Sequence, residues 1–316
     1  MIQFENVTKS YDGKTNVVED VNFKIERGEF FVLIGPSGCG KTTTLKMINR
    51  LIPLSDGTIR IHDKKISEYS IHELRWQIGY VLQQIALFPH MTIEENISIV
   101  PELKHWKKER IRERVTELLH MAGLDPATYR GRKPSELSGG QQQRVGVVRA
   151  LAADPDIVLM DEPFSALDPI SRSKLQEDLL HLQKTIQKTI VFVTHDIQEA
   201  MKLGDRICIM KNGKVEQLGT PEEITAAPAT PFVQEFIGTN GPQPFVVKDH
   251  MESANKHFSQ NIPTLAIDAG WSTVLDALLL SDIVAIQENE EIVGTLTREA
   301  VLTFLAAHEK ERTAAG

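Results

Sequence analysis

Apolar and polar residues alternate from the start of the chain. Ile2, Phe4 and Val7 are followed, beyond Tyr11-Asp12-Gly13-Lys14, by Val17, Val21, Phe23 and Ile25. A period of two puts the apolar side chains on one face, so the pattern predicts antiparallel strands joined by a turn. The next apolar segment, Phe30-Phe31-Val32-Leu33-Ile34, does not alternate, as a strand buried on both faces requires. A helix is expected to open near Lys41 and run through Leu45 and Ile48. Residues 85–135 differ: charges crowd Lys104 to Arg114, and Ile111, Val115, Leu118 and Leu119 recur at helical spacing, which predicts a helical insert.

Strand and helix patterns then alternate. Ile157 to Met160, Thr189 to Val193 and Arg206 to Met210 read as strands, with helices over Ser171 to Ile186 and Ile197 to Leu203. Asn212-Gly213 is a hairpin turn into Val215 to Leu218. This order predicts an α/β fold built on a parallel sheet. Pro228, Pro231, Gly238, Gly241, Pro242 and Pro244 punctuate residues 227–245, which read as a linker. A smaller unit follows: strand Thr264 to Ile267, helix Thr273 to Leu280, strand Ile283 to Gln287, turn Glu288 to Glu291, strand Ile292 to Thr297 and helix Arg298 to Leu305. The expected organisation is a main domain over 1–238, a linker over 239–261, and an accessory domain with a polar tail over 262–316.

Composition narrows the picture only slightly. Over 316 residues, 41% are hydrophobic and 25% charged, an ordinary globular balance. The net charge of −8 argues against a nucleic-acid partner. Two cysteines, Cys39 and Cys208, are too few for a disulfide framework and read as reduced thiols. The first residues lack the layout of a signal peptide. No apolar run approaches the ~18–20 residues that span a bilayer. A path across a membrane, if one is served, is expected in another chain.

Chemistry concentrates in three places. Gly35-Pro36-Ser37-Gly38-Cys39-Gly40-Lys41-Thr42 fits a phosphate-binding loop, and it lies between a buried strand and a helix. Its glycines let backbone N–H groups turn toward phosphate, and the helix N-terminus adds its positive end. Lys41 reaches β and γ phosphates, and the Thr42 hydroxyl is a Mg²⁺ ligand. Cys39 reads as a small side chain tolerated in the loop. Asp161-Glu162 follow four apolar residues, where acids are costly unless they face a ligand crevice. Asp161 is then a direct or outer anchor for Mg²⁺, and Glu162 accepts a proton from the attacking water or orients it. His195 ends the next buried strand, placed to hydrogen-bond a γ-phosphate or hold that water.

Leu137-Ser138-Gly139-Gly140-Gln141 is a motif that a generic phosphate-loop ATPase does not need. It resembles the signature of ABC ATPases, and the other motifs stand in that family's order from Ile2 to Gly238. The resemblance implies an ABC-type ATPase fold with an N-terminal antiparallel β subdomain and a helical insert. Its nucleotide contacts would extend from the loop through Thr43, and Tyr11 would stack on adenine. Gln83 would touch Mg²⁺ or water and sense a permease, and Asp168 would lie in the loop that follows the catalytic acid. It further implies a homodimer with ATP held between the phosphate loop of one copy and Ser138, Gly139, Gly140 and Gln141 of the other. Residues 46–52, 78–92, Asn96, Ile97, 100–103 and Trp106 resemble importers of glycine betaine, carnitine and choline. This implies an integral-membrane permease, a solute-binding protein, and a location on the cytoplasmic face of the membrane. The competing functions are a soluble non-transport ABC ATPase and a nucleotide-gated regulator.

Residues 263–302 resemble a single CBS-type motif, through Thr273 to Leu278, Ile283 to Ile286 and Ile292 to Thr297. Ala300 stands where such motifs often carry a ribose-binding acid. The unit is expected to be either a packing and dimerisation module or a regulatory sensor.

Overall fold

The structure, a computed structural model, describes residues 1–165, 167–239, 247–253, 262–267, 269, 273–274, 277–278, 281–288 and 291–303. It divides into two units, Met1–Ile237 and Gly238–Gly316.

The first unit is organised by one strand. β3 (Phe30–Ile34) follows β1 (Ile2–Ser10) and β2 (Asn16–Ile25), and all five of its residues are buried. Later come β4 (Asp56–Ile61), β5 (Lys64–Lys65), β6 (Ile78–Val81), β7 (Ile157–Asp161), β8 (Thr189–Thr194), β9 (Arg206–Lys211) and β10 (Lys214–Gly219). The six-stranded sheet has the order β10-β9-β3-β8-β7-β6, parallel except for the β9–β10 hairpin. Side chains alternate across the pleat and feed two cores. Phe30, Val32, Ile34, Val158, Met160, Ile190 and Phe192 join the core that includes the helical residues. Phe31, Leu33, Ile157, Leu159, Val191 and Val193 pack with the second sheet, whose order is β2-β1-β4-β5.

The helices are α1 (Lys41–Ile48), α2 (Ile71–Trp76), α3 (Ile93–Leu103), α4 (Lys108–Met121), α5 (Pro126–Tyr129), α6 (Gly139–Ala150), α7 (Pro169–Ile186), α8 (Ile197–Leu203), α9 (Pro221–Ala226) and α10 (Pro231–Thr239). The expected insert contains α3, α4 and α5. A Thr92–Glu95 capping box starts α3, and a Ser138–Gln141 box starts α6. Asn212 and Gly213 both have positive φ, 49° and 81°, as the tight β9–β10 turn requires.

The structure adds elements the sequence pattern leaves unassigned: β4, β5, β6, α2 and α9. It also corrects the linker. Pro231 opens α10 rather than unwinding the chain, because proline suits the first helical position. Within 239–261, Val247–His250 is a helix (α11) and Glu252–Ser253 is a strand (β11).

β11 belongs to the second unit's sheet, with β12 (Thr264–Ala266), β13 (Ile283–Glu288) and β14 (Glu291–Thr297) in the order β11-β14-β13-β12. β12 and β13 are parallel and the other pairs antiparallel. Val247, Val274, Leu278, Val284, Ile286, Leu296 and Val301 form its core. Parts of the expected helix Thr273 to Leu280, the middle of the turn at 289–290, and the end of the last helix with the tail lie outside the described residues, as does 240–246.

Candidate functional site

Three parallel strands, β3, β7 and β8, deliver their C-terminal ends to the same edge of the sheet. Gly35 to Gly40 join β3 to α1. Gly35 and Gly40 have φ of 154° and 102°. A Cβ at Gly35 would lie 2.1 Å from the Met210 carbonyl oxygen, and one at Gly40 would lie 2.6 Å from that of Val17. The loop is therefore pressed between β9 and β2 and accepts no side chain at either end. Lys41 is 5% exposed, and its ammonium donates to the Gly35 and Pro36 carbonyls at 2.7 and 3.0 Å. Cys39 is buried, with its sulfur 4.0 Å from that ammonium, and burial pushes its thiol up.

The Thr42 hydroxyl donates to Asp161 Oδ1 at 2.8 Å. Asp161 is 4% exposed. Its Oδ2 accepts from the Tyr80 hydroxyl at 3.3 Å and lies 3.9 Å from Lys46 Nζ. Burial pushes the Tyr80 phenol up, and the Asp161 charge adds to the effect, so Tyr80 is held as a donor.

Glu162 turns away from the strand in the left-handed region, with φ of 44°. Its amide donates to the Val193 carbonyl of β8 at 3.0 Å. Its Oε2 accepts from Gln83 Nε2 at 3.3 Å and pairs with His195 Nδ1 at 3.2 Å. The carboxylate side chain is 19% exposed while His195 is 59% exposed, so the imidazole stands on the solvent side.

The structure thus brings together Gly35 to Thr42, Gln83, Asp161, Glu162 and His195. Thr43 follows in the first turn of α1. Tyr11 lies in the β1–β2 turn, 63% exposed, with Lys9 Nζ 5.0 Å from its ring centre. Asp168 lies just before α7, its carbonyl accepting from the Arg172 amide at 2.9 Å. Ser138, Gly139, Gly140 and Gln141 stand apart, at the start of α6, which packs against α3, α4, β6 and α7. Among the described residues no hydrogen bond or ion pair joins them to the phosphate loop. Gln141 instead donates to the Tyr129 hydroxyl at 3.0 Å and accepts from the Ser138 amide at 2.9 Å.

The arrangement fits a nucleotide phosphate chain and Mg²⁺. The positive φ at Gly35, Gly38 and Gly40 lets backbone amides of the cradle turn toward a phosphate, and Lys41 supplies charge beside them. Thr42, Asp161 and Gln83 offer oxygen donors of the kind Mg²⁺ takes. Among the described residues there is no cluster of three or more His, Cys, Asp or Glu that would form a protein-only metal cage. Mg²⁺ ordinarily uses one or two carboxylates plus substrate phosphate instead. Motif reading did not find Tyr80 and Lys46 as partners of Asp161. Their placement depends on β6 lying beside β7 and α1 packing on β7, which no local spacing signals.

A family model described as "ABC transporter" matches residues 18–165. The choline transport ATP-binding protein OpuBA of Bacillus subtilis is 58% identical over 238 residues, 75% of this chain and 62% of that protein. The glycine betaine/carnitine transport ATP-binding protein GbuA of Listeria monocytogenes is 36% identical, aligned over 94% of this chain and 89% of its own length. The ATP-binding cassette MJ0796, solved as a dimer in a post-hydrolysis state with ADP and Pi, superposes with a TM-score of 0.62 at 38% identity, covering 70% of this chain and 99% of that one. The chain spans about 60% of the length of the curated relatives it matches first. Identity of this extent, reaching nearly the whole of one relative, establishes that the chain belongs to the ABC transporter family of ATP-binding proteins.

Proposed function

We propose that two copies of this chain bind Mg-ATP between them and hydrolyse it to drive import of a small quaternary amine through a separate permease. The observation that carries the reading is the convergence of Gln83 and His195 on one oxygen of Glu162, beside the Thr42–Asp161 pair.

The phosphate chain lies in the cradle of Gly35, Pro36, Ser37, Gly38, Cys39 and Gly40, and Lys41 moves from the loop carbonyls onto its oxygens. Thr42, Asp161 and Gln83 would hold the cation; because the Thr42 proton is directed to Asp161, the hydroxyl oxygen would keep its lone pairs for the metal. The cation, when bound, neutralises charge on the phosphate oxygens. Glu162 takes a proton from the attacking water, and the His195 N–H orients the carboxylate that receives it. A left-handed Glu162 costs roughly 1–2 kcal/mol; its amide bond to Val193 fixes the side chain where this proton transfer needs it.

The separation of Ser138, Gly139, Gly140 and Gln141 from the loop supports assembly in an antiparallel pair. The Gly139 and Gly140 amides open a twelve-residue helix, a start that suits an anion brought by a second copy. The dimer of MJ0796 with ADP and Pi supports the same reading. ATP then favours the closed pair and hydrolysis releases it.

Import through a permease rests on the names of relatives and on one surface. Leu82, Phe88 and Met91 are 39%, 50% and 38% exposed. Asn96 is fully buried and ties the segment beneath them, accepting from the Phe88 amide at 2.8 Å and donating to the Phe88 and Thr92 carbonyls at 3.1 and 2.9 Å. Exposed apolar side chains on a segment held this firmly, Phe88 and Met91 above all, suit docking of a permease helix. No helix among the described residues is long and apolar enough to cross a membrane. The chain would then work on the cytoplasmic face, held there by the permease, with a solute-binding protein selecting the amine. The second unit serves as a single CBS-like pairing module that meets its counterpart in the other copy.

Replacing Glu162 with Gln is expected to lower kcat by about 10²–10⁴-fold while ATP affinity stays near wild type; steady-state hydrolysis and equilibrium nucleotide binding give the two numbers, and near-normal turnover would exclude Glu162 as the base. With the permease and solute-binding protein in liposomes, ATP turnover should rise with choline or glycine betaine and not with a sugar; equal response to both would reject the substrate class. Because burial raises the Cys39 pKa, maleimide should label it more slowly than a free thiol at pH 7, accelerate as pH rises, and be blocked by ATP. Cys208, buried and pushed up to about 12, should stay unlabelled over the same range. Mass-spectrometric labelling rates check both, and fast neutral-pH labelling of Cys39 would contradict its burial.

A further inference from the structure

One side chain reaches both segments that bracket the candidate base, yet contacts neither Glu162 nor the phosphate loop. Arg172 lies in the first turn of α7, and its Nη2 is 3.5 Å from the Leu167 carbonyl oxygen. Its backbone amide is bonded to Asp168, so it moves with the segment that follows Glu162. On the other side, Nη1 is 3.7 Å from Asp196 Oδ2 and Nε is 3.9 Å from Glu199 Oε1.

Those two acids are built into the segment that carries His195. Asp196 caps α8, accepting from the Gln198 and Glu199 amides at 2.8 and 3.4 Å. Glu199 is 5% exposed; its Oε2 accepts from the Thr194 hydroxyl at 2.6 Å and its Oε1 from Gln176 at 3.3 Å. The Thr194 oxygen accepts in turn from the Asp196 amide at 3.0 Å. Both neighbours of His195 therefore belong to the network the guanidinium enters.

The network is costly unless it has a use. Burial pushes the Glu199 carboxyl up, opposed by the Thr194 hydrogen bond and the Arg172 charge. Of the three charged side chains only Glu199 is buried, while Arg172 and Asp196 are each 31% exposed, so the Glu199 charge carries the desolvation cost. The pairing here is also incompletely drawn. Contacts of 3.7 and 3.9 Å are long beside the ~2.7–2.9 Å of a charge-assisted bond. The buried Arg172 Nε has no hydrogen-bond partner. A small approach of α7 to α8 would convert both contacts into bonds.

We propose that Arg172 is a positioning residue that ties the segment after Glu162 to the segment carrying His195, so that His195 stays against the Glu162 carboxylate as the ATP-bound pair closes. The inference rests on the hydrolytic reading above. It assigns Arg172 and Glu199 to the rate of the chemical step rather than to nucleotide affinity.

The test is steady-state ATP hydrolysis by the full chain, with Arg172→Ala, Arg172→Lys, Glu199→Gln and the doubles. Arg172→Ala should lower kcat by about 10–100-fold, the scale of a small misplacement of a catalytic group. KM for ATP should change less than about twofold, and Arg172→Lys should recover part of the loss. The Arg172→Ala/Glu199→Gln double should be no more than about twofold slower than the slower single, because both act through one link. Should the shorter residue unfold the chain, Arg172→Lys with Glu199→Gln carries the same cycle. Unchanged kcat in a folded Arg172 variant, a KM that rises as kcat falls, or losses that multiply in the double would overturn the inference. If turnover is abolished by Glu162→Gln but indifferent to Arg172, only this inference fails; if the wild type does not hydrolyse ATP, both readings fail.

Discussion

On the proposed function, the chemistry depends on one carboxylate oxygen held from two sides. Glu162 Oε2 takes Gln83 from the segment after β6 and His195 from the end of β8. Neither neighbour is near Glu162 in sequence; they meet because β7 runs between β6 and β8. The parallel register puts Asp161 opposite Val193, so the turn at Glu162 comes level with the end of β8. The strand order therefore does the assembling, and the two apolar cores on either side of the sheet fix that order. The left-handed backbone at Glu162 is the local cost of aiming the side chain back across the sheet edge.

Much of this was legible from residues alone because the informative parts are local. The fully apolar run of β3, the glycine loop, and the acids at the end of β7 each carry their signal within a few positions. The unassigned elements have physical reasons. β6 is interrupted by Gly79, where a Cβ would stand 2.3 Å from the Ala150 carbonyl oxygen, so close approach of α6 breaks the apolar pattern. β5 is only two residues long. α10 was masked by Pro231, which reads as linker punctuation but starts a helix. The pairing of Tyr80 and Lys46 with Asp161, and the link from Arg172 to Glu199, arise from elements distant in sequence. No spacing rule reaches them.

The same separation that hides such contacts underlies the proposed function. On that reading, the phosphate loop at the sheet edge and the capped helix start within the helical layer are two halves of an anion site carried on different parts of one unit. Neither half encloses a triphosphate alone. On the proposed function, affinity between copies is created by nucleotide and withdrawn by hydrolysis. A rate-setting link such as Arg172 belongs where the segments around Glu162 and His195 meet.

The composite site can be tested by mixing two inactive full-length variants, Lys41→Ala with a defective loop and Ser138→Arg with a blocked helix start. In an antiparallel pair of unlike copies, the intact loop of one faces the intact helix start of the other. ATP hydrolysis should therefore appear in the mixture although neither variant hydrolyses alone. A mixture that stays as inactive as its components would contradict a site shared between two copies.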